Sequence, residues 1–105
     1  MSTKPITIAG IRYPTLGAAR TRISEIRHSG GNLTTITGTA DVEIISELFG
    51  ALPYNKTLLA GREIVGWGRE WGGALCFVAL LNDGSSLKFD SAKCLRAVRA
   101  LQLNV

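Results

Sequence analysis

The run REIVGWGREWGGALCFVALLNDGSSLKF, residues 62–89, changes the hydrophobic period of the chain from about 3.6 residues to two. Arg62–Arg69 alternates and reads as a strand. Ala74–Leu81 is apolar at nearly every position and reads as the central strand of a sheet, buried on both faces. Glu70–Gly73 holds a Trp-Gly-Gly turn between the two. Asn82-Asp83-Gly84 is a hairpin signal, because mirror-image type I′ turns take Asn, Asp and Gly at positive φ. Ser86–Phe89 follows as a third strand, with Phe77, Leu87 and Phe89 turned to the core. The expectation is a three-stranded antiparallel meander of 62–69, 74–81 and 86–89.

Helical spacing flanks the meander on both sides. Upstream, Thr15 is an N-cap candidate for a helix over 16–28, with Leu16, Ala19, Ile23 and Ile26 on one stripe and Gly30-Gly31 ending it. Asp41 opens a second helix over 41–52, carrying Ile45, Leu48, Phe49 and Leu52, and Pro53 stops it. Ile6-Thr7-Ile8 reads as a weak edge strand, Asn32–Gly38 as loop or poor strand, and Tyr54–Gly61 as a connector. Downstream, Asp90 or Ser91 caps a helix over 91–101 that turns Cys94, Leu95, Val98 and Leu101 inward. Two helices, a meander and a C-terminal helix make an α+β domain with its helices on one face of the sheet.

The 105 residues give room for one core, so the chain reads as a single domain over 1–105. With 46% hydrophobic and 19% charged residues spread along its length, it fits neither a disordered tail nor a fibrous repeat. The longest nearly continuous apolar run, Ala74–Leu81, is far below the roughly 20 residues of a membrane helix. No signal-peptide order marks the N-terminal residues, and a cytoplasmic protein is expected. Cys76 and Cys94 belong to no CxxC or Cys/His array, which excludes a zinc ribbon and a disulfide scaffold. Both are expected to be reduced and buried.

Twelve Lys and Arg against eight Asp and Glu leave a net charge of +4. Lys4, Arg12, Arg20, Arg22 and Arg27 face Glu25 alone in residues 1–30, whereas Asp41, Glu43 and Glu47 make 41–52 purely acidic. The isoelectric point near 9.5 is compatible with a nucleic-acid partner. No catalytic constellation emerges. His28 sits at a helix C-terminus, where the dipole favours its charged form. Glu63 and Glu70 lie at opposite ends of one strand, Glu43 and Glu47 read as a solvated helix face, and neither cysteine has the setting of a nucleophile. Gly66-x-Gly68 falls inside a strand rather than opening a helix, so it is no phosphate cradle. No metal site and no cofactor is expected.

A basic and aromatic surface is the stronger candidate. Lys93, Arg96 and Arg99 recur every third residue on the last helix, Lys88 alternates with inward Leu87 and Phe89, and Arg69 and Trp71 frame the hairpin turn. Cations hold phosphates and aromatics stack on unpaired bases, so this set suits structured or single-stranded RNA. The plainer reading has Trp67 in the core, Trp71 over the sheet edge and the basic stripe merely solvated.

The segment CFVALLNDGSSLKFDSAKCL, Cys76 to Leu95, resembles the C-terminal signature of the plant "defective chloroplasts and leaves" (DCL-like) family and its bacterial and phage relatives. The matching positions are Cys76-Phe77, Asp83-Gly84-Ser85, Phe89 and Lys93-Cys94-Leu95. Upstream, the basic helix after Tyr13, the helix ending at Pro53, Lys56 and Gly61 extend the likeness to roughly residues 11–96. Asp90 stands where the family has serine, and Leu52 where a histidine is expected. The resemblance implies a nucleic-acid setting, since plant members are associated with plastid ribosomal RNA processing. Similar domains occur beside nucleases and on an RNA polymerase subunit. It implies no catalytic residues, and it suggests a stand-alone microbial or phage version. The expectation is therefore a non-catalytic domain that binds nucleic acid, RNA for preference, as an accessory to RNA processing or to a nuclease. The alternative is a protein–protein adaptor of phage type, for which the acidic helix opposite a basic face is suited.

Overall fold

The computed structural model describes residues 4–103. The alternating stretch forms β3 (Ile64–Trp71), β4 (Leu75–Leu81) and β5 (Ser86–Phe89), an antiparallel sheet in the order β3-β4-β5. Phe77 faces Arg69 on one side and Phe89 on the other, and a bulge between Ile64 and Gly66 shifts the register at one end. The β4–β5 turn departs from the two-residue form expected. Only Gly84 in it takes positive φ, +86°, while Gly84 N–H donates to Leu81 O and Leu81 N–H to Ser85 O. Three residues, Asn82–Gly84, therefore cross over, with the glycine absorbing the left-handed step. Asp83 accepts from the Ser85 backbone N–H (2.9 Å) and the Ser85 hydroxyl, and these bonds hold its carboxyl below the usual 3.8.

Among the described residues four helices surround the sheet on the side of Trp67, Phe77 and Phe89. Helix α1 (Leu16–His28) starts where Thr15 Oγ1 accepts from Ala18 N–H (3.0 Å) and buries Ala19, Ile23 and Ile26. Helix α2 (Thr39–Gly50) begins two residues before Asp41, whose carboxylate pairs with Arg22. The expected connector is instead helix α3 (Pro53–Leu59). Pro53 opens it at the first position, where the missing N–H costs nothing, so the proline ends one helix and starts another. Ala60 and Gly61 leave it through the left-handed region, with φ of +52° and +83°. Helix α4 (Ser91–Leu103) closes the chain, capped by Asp90, whose Oδ1 accepts from Ala92 and Lys93 N–H. Leu101 does not turn inward as its spacing suggested. It is 61% exposed, because α4 runs past the end of the core.

Two further pieces complete the architecture. Ile6–Ile8 is β1 and pairs antiparallel with β2 (Ile11–Tyr13) across Ala9 and Gly10, both at positive φ. Glu47, expected to be merely solvated, accepts from Ala9 N–H at 2.6 Å. The Gln102 side chain donates to Thr7 O and accepts from Thr7 N–H, tying α4 to β1 across 95 positions of sequence. The threonine-rich loop lies along β3, with Ile36 N–H donating to Trp67 O and Arg69 N–H to Thr34 O, both at 2.9 Å. Phe49, Trp67 and Phe89 pack edge to face at 5.2–5.9 Å between ring centres, which joins α2 to the sheet. No helix among the described residues is long and apolar enough to cross a membrane.

Candidate nucleic-acid interface

Arg69 is the first correction. It sits on β3 two residues beyond Trp67, so strand alternation carries it to the core-facing side, and it is only 5% exposed. Its Nε and Nη2 donate to Ile26 O at 3.0 and 2.8 Å, and Nη2 also reaches Ser29 Oγ at 2.8 Å. Nη1 donates to Thr34 Oγ1 at 3.0 Å. The guanidinium thus caps the C-terminal end of α1 and pins the loop that follows, where a cation also meets the negative pole of the helix. Gly30 has no room for a side chain, since a Cβ there would lie 2.6 Å from Arg69 Nη1. Arg69 is a structural residue, removed from any surface.

The other five candidates do reach solvent, though not as one patch. Trp71 is 62% exposed at the end of β3, opposite Leu75, and its backbone N–H donates to Asn32 Oδ1 at 2.7 Å. Lys88 leaves the far face of the sheet, bends over Gly72 and comes within 4.0 Å of Glu70. Lys93 and Arg96 are exposed on α4, and Arg99 is half-buried. Ala92, Arg96 and Arg99 stand at i, i+4 and i+7, so the two arginines continue the side of α4 that Ala92 opens.

That side looks at α1. A cleft of about 260 Å³ lies between the helices, with Arg20, Ser24 and Arg27 on one bank and Ser91, Ala92 and Leu95 on the other. Arg20 and Arg27 are the functional candidates that the sequence alone did not single out. They belong to the basic block of residues 1–30, and the packing of α1 against α4 sets them across one cleft from Ser91, Ala92 and Leu95. Arg27 Nη2 donates to Ser91 Oγ at 2.6 Å and its guanidinium lies 5.2 Å from the Phe77 ring centre. Among the described residues, none of Arg20, Arg27, Lys93, Arg96 and Arg99 is in an ion pair, whereas Arg22, Arg62 and Lys88 each meet an acid.

A larger cleft of about 490 Å³ adjoins the first and shares Arg27, Ser91 and Ala92 with it. It opens where β5 ends and the chain turns into α4, leaving the start of β4 without its neighbour. Leu81 N–H donates to Ser85 O and Gly72 N–H to Ala74 O, so odd-numbered β4 residues turn their backbone groups towards β5 and even-numbered ones towards β3. Leu75 is odd, and continuing the Phe77–Phe89 register places Ser91, already helical, opposite it. Its N–H and C=O therefore face the cleft with no backbone partner among the described residues. Lys88 and Cys76 line the same cleft.

His28 turns back on its own helix, with Nδ1 2.8 Å from Ser24 O. Cys94 is buried as expected and its thiol is pushed up above 9.0 by desolvation, which keeps it protonated and unreactive. Cys76 is only half-buried, contrary to expectation, because it sits near the open start of β4 rather than at its middle. Among the described residues no three His, Cys, Asp or Glu side chains gather where they would share a metal ion.

Neither a known protein family nor a curated protein matches the chain. Among solved structures, the solution NMR structure of an uncharacterized protein from Rhodospirillum rubrum is similar, with a TM-score of 0.73. The likeness covers 89% of each chain at 23% identity, and what it shows is a shared fold.

Proposed function

We propose that this chain is a non-catalytic domain that binds nucleic acid, RNA for preference, along the groove between α1 and α4. One observation carries the reading: Arg20 and Arg27 line the groove, Arg96 and Arg99 continue the side of α4 that Ala92 opens towards it, and among the described residues none of the four is in an ion pair. A carboxylate partner would silence such a cation, as Asp41 does for Arg22. Unpaired arginines in a groove suit phosphates, which they contact with a planar fork. Trp71 and Lys88 extend the surface towards the hairpin. The resemblance of Cys76–Leu95 to the DCL-like family points the same way, towards an accessory to RNA processing or to a nuclease in the cytoplasm.

Filter binding against salt tests this. The parent is expected to bind RNA with log affinity falling steeply against log salt, and Arg96→Ala with Arg99→Ala to flatten that slope by roughly 0.7–0.9 per lost contact. Arg22→Ala, which removes a paired arginine, is expected to leave the slope alone. Equal slopes for the parent and the double variant would reject the groove.

The adaptor reading rests on a different place. Leu101 (61% exposed) and Leu103 (49% exposed) end α4 beside a hollow against α2 that also takes in Glu47 and Gly50. RNA binding unchanged by the double variant, together with partner binding abolished by Leu101→Asp, would move that reading ahead.

A further inference from the structure

The larger cleft has a build that the groove beside it lacks. Arg27 and Lys88 are its cations, on separate elements; Lys88 also stands 4.0 Å from Glu70, a long, solvent-screened contact that a phosphate can displace, unlike the close pair of Arg22 and Asp41. Phe89 and Leu75 give it an apolar wall, and the unpaired N–H and C=O of Leu75 give it one donor and one acceptor on a rigid strand. Asp90 is the one acid lining it, and that carboxylate is engaged by the N–H groups of Ala92 and Lys93. Arg27 uses Nη2 on Ser91 Oγ, which fixes the guanidinium while its other N–H groups have no side-chain partner among the described residues. A phosphate-sized cationic end, an apolar wall and a backbone edge lie together in about 490 Å³.

We propose that this cleft takes one unstacked nucleotide of the bound RNA, with its phosphate between Arg27 and Lys88 and its base against Leu75 and Phe89. This rests on the reading of the α1–α4 groove as an RNA track, and Arg27, shared by both clefts, is where the strand passes from one to the other. The backbone edge of Leu75 offers its pair of hydrogen-bonding groups to the edge of the base, as protein recognition of splayed RNA bases requires. A duplex, whose bases stay stacked, has nothing to insert. The groove therefore supplies salt-dependent affinity for any phosphate chain, and the cleft selects single strands over duplexes.

Cys76 is a built-in reporter, because it lines this cleft half-exposed while Cys94 is buried. The experiment measures its alkylation rate by iodoacetamide in the intact chain with and without a single-stranded RNA oligomer, an RNA duplex of equal length, or a nucleoside 5′-monophosphate. Single-stranded RNA is expected to slow alkylation about tenfold or more and the duplex to leave it unchanged. Leu75→Trp, which fills the larger cleft at a position the groove does not share, is expected to weaken single-strand binding about tenfold, the worth of a stacked base, without changing the salt slope. Lys88→Ala, at an exposed position of the same cleft, repeats the test without added bulk and is expected to weaken single-strand binding without affecting duplex binding. Single-stranded RNA that binds while Cys76 reacts as fast as before overturns the cleft and leaves the groove reading standing. If no RNA binds, the groove reading fails. Protection of Cys76 by the mononucleotide then upholds the cleft by itself, and lack of protection overturns it too.

Discussion

Replacing Arg69 by methionine separates a structural arginine from a binding one. Methionine keeps most of the unbranched stem and removes the guanidinium, so packing changes little while the polar contacts vanish. Two bonds to Ile26 O, one to Ser29 Oγ and one to Thr34 Oγ1 are lost, all at 2.8–3.0 Å. Bonds from a charged donor contribute about 1.5–3 kcal/mol each in mutational series, and the cost of burying a cation that has no carboxylate partner offsets part of that. Ser29 Oγ still donates to Ile26 O at 2.9 Å, which limits the damage. A net loss of about 3 kcal/mol is the expectation, a large share of the 5–15 kcal/mol that about spans domain stability. At roughly 4–8 °C per kcal/mol for a chain of this size, melting falls by about 12–24 °C. Arg69→Lys is expected to fall between the two, because an ammonium cannot fork across Ile26 O, Ser29 and Thr34. Thermal unfolding followed by circular dichroism reads both variants, with RNA binding measured in parallel well below the melting range. A methionine variant that melts within about 3 °C of the parent yet loses RNA would return Arg69 to the binding surface and refute its structural role.

Three further outcomes follow from the geometry. Trp71→Ala is expected to weaken single-stranded RNA binding by about 1–3 kcal/mol if the indole stacks on a base, with melting nearly unchanged because the side chain is 62% exposed. Fluorescence quenching of the parent by RNA, absent in this variant, checks the same contact against buried Trp67. Burial holds the Cys94 thiol above 9.0, so the folded state keeps a proton that the unfolded chain releases. Its contribution is complete below that value and fades as pH rises through the higher folded one. Urea midpoints should therefore drop more steeply from pH 8.5 to 10.5, roughly the range bracketing the thiol's ordinary titration, in the parent than in Cys94→Ala. Phe49→Ala is expected to cost about 3–5 kcal/mol by opening the edge-to-face cluster with Trp67 and Phe89, read as a lowered urea midpoint at constant slope.

The meander was legible because period-two alternation and a glycine turn are local signals, and α1 because Thr15 and its apolar spacing are too. The β1–β2 hairpin was hidden by its turn, in which Ala9 takes the positive φ that Asn or Asp would have advertised. Helix α3 is seven residues long with a proline at its head, and from sequence such a segment looks like an interruption. The strand-like loop along β3 is polar apart from Leu33 and Ile36, and its order comes from hydrogen bonds to Trp67 and Arg69 that no local pattern encodes. At the candidate site, the three-residue spacing of Lys93, Arg96 and Arg99 placed them on α4. The charge of Arg69 suggests a surface role, and only its strand position two residues after Trp67 marks it as core-facing. Arg20 and Arg27 carry no local sign of the groove they line with α4, because that packing is tertiary.

The bond pair between Gln102 and Thr7 bears on the order in which the molecule assembles and comes apart. It joins positions 95 residues apart, so it closes a loop of nearly the whole described chain. The entropy of so long a closure falls only when the helices and sheet between them have already shortened the effective loop. The clasp is therefore a late event in folding. For the same reason it is the first to open in the native state, since Gln102 is exposed and lies on the last turn of its helix. Opening there frees the tip of α4, while Ile6 and Ile8 keep β1 in the same core as the Phe49–Trp67–Phe89 cluster. The Thr7 amide, which donates to the Gln102 side chain, should exchange with solvent through this partial opening, and the amides of Phe77 and Ala79 in the middle of the sheet through global unfolding alone.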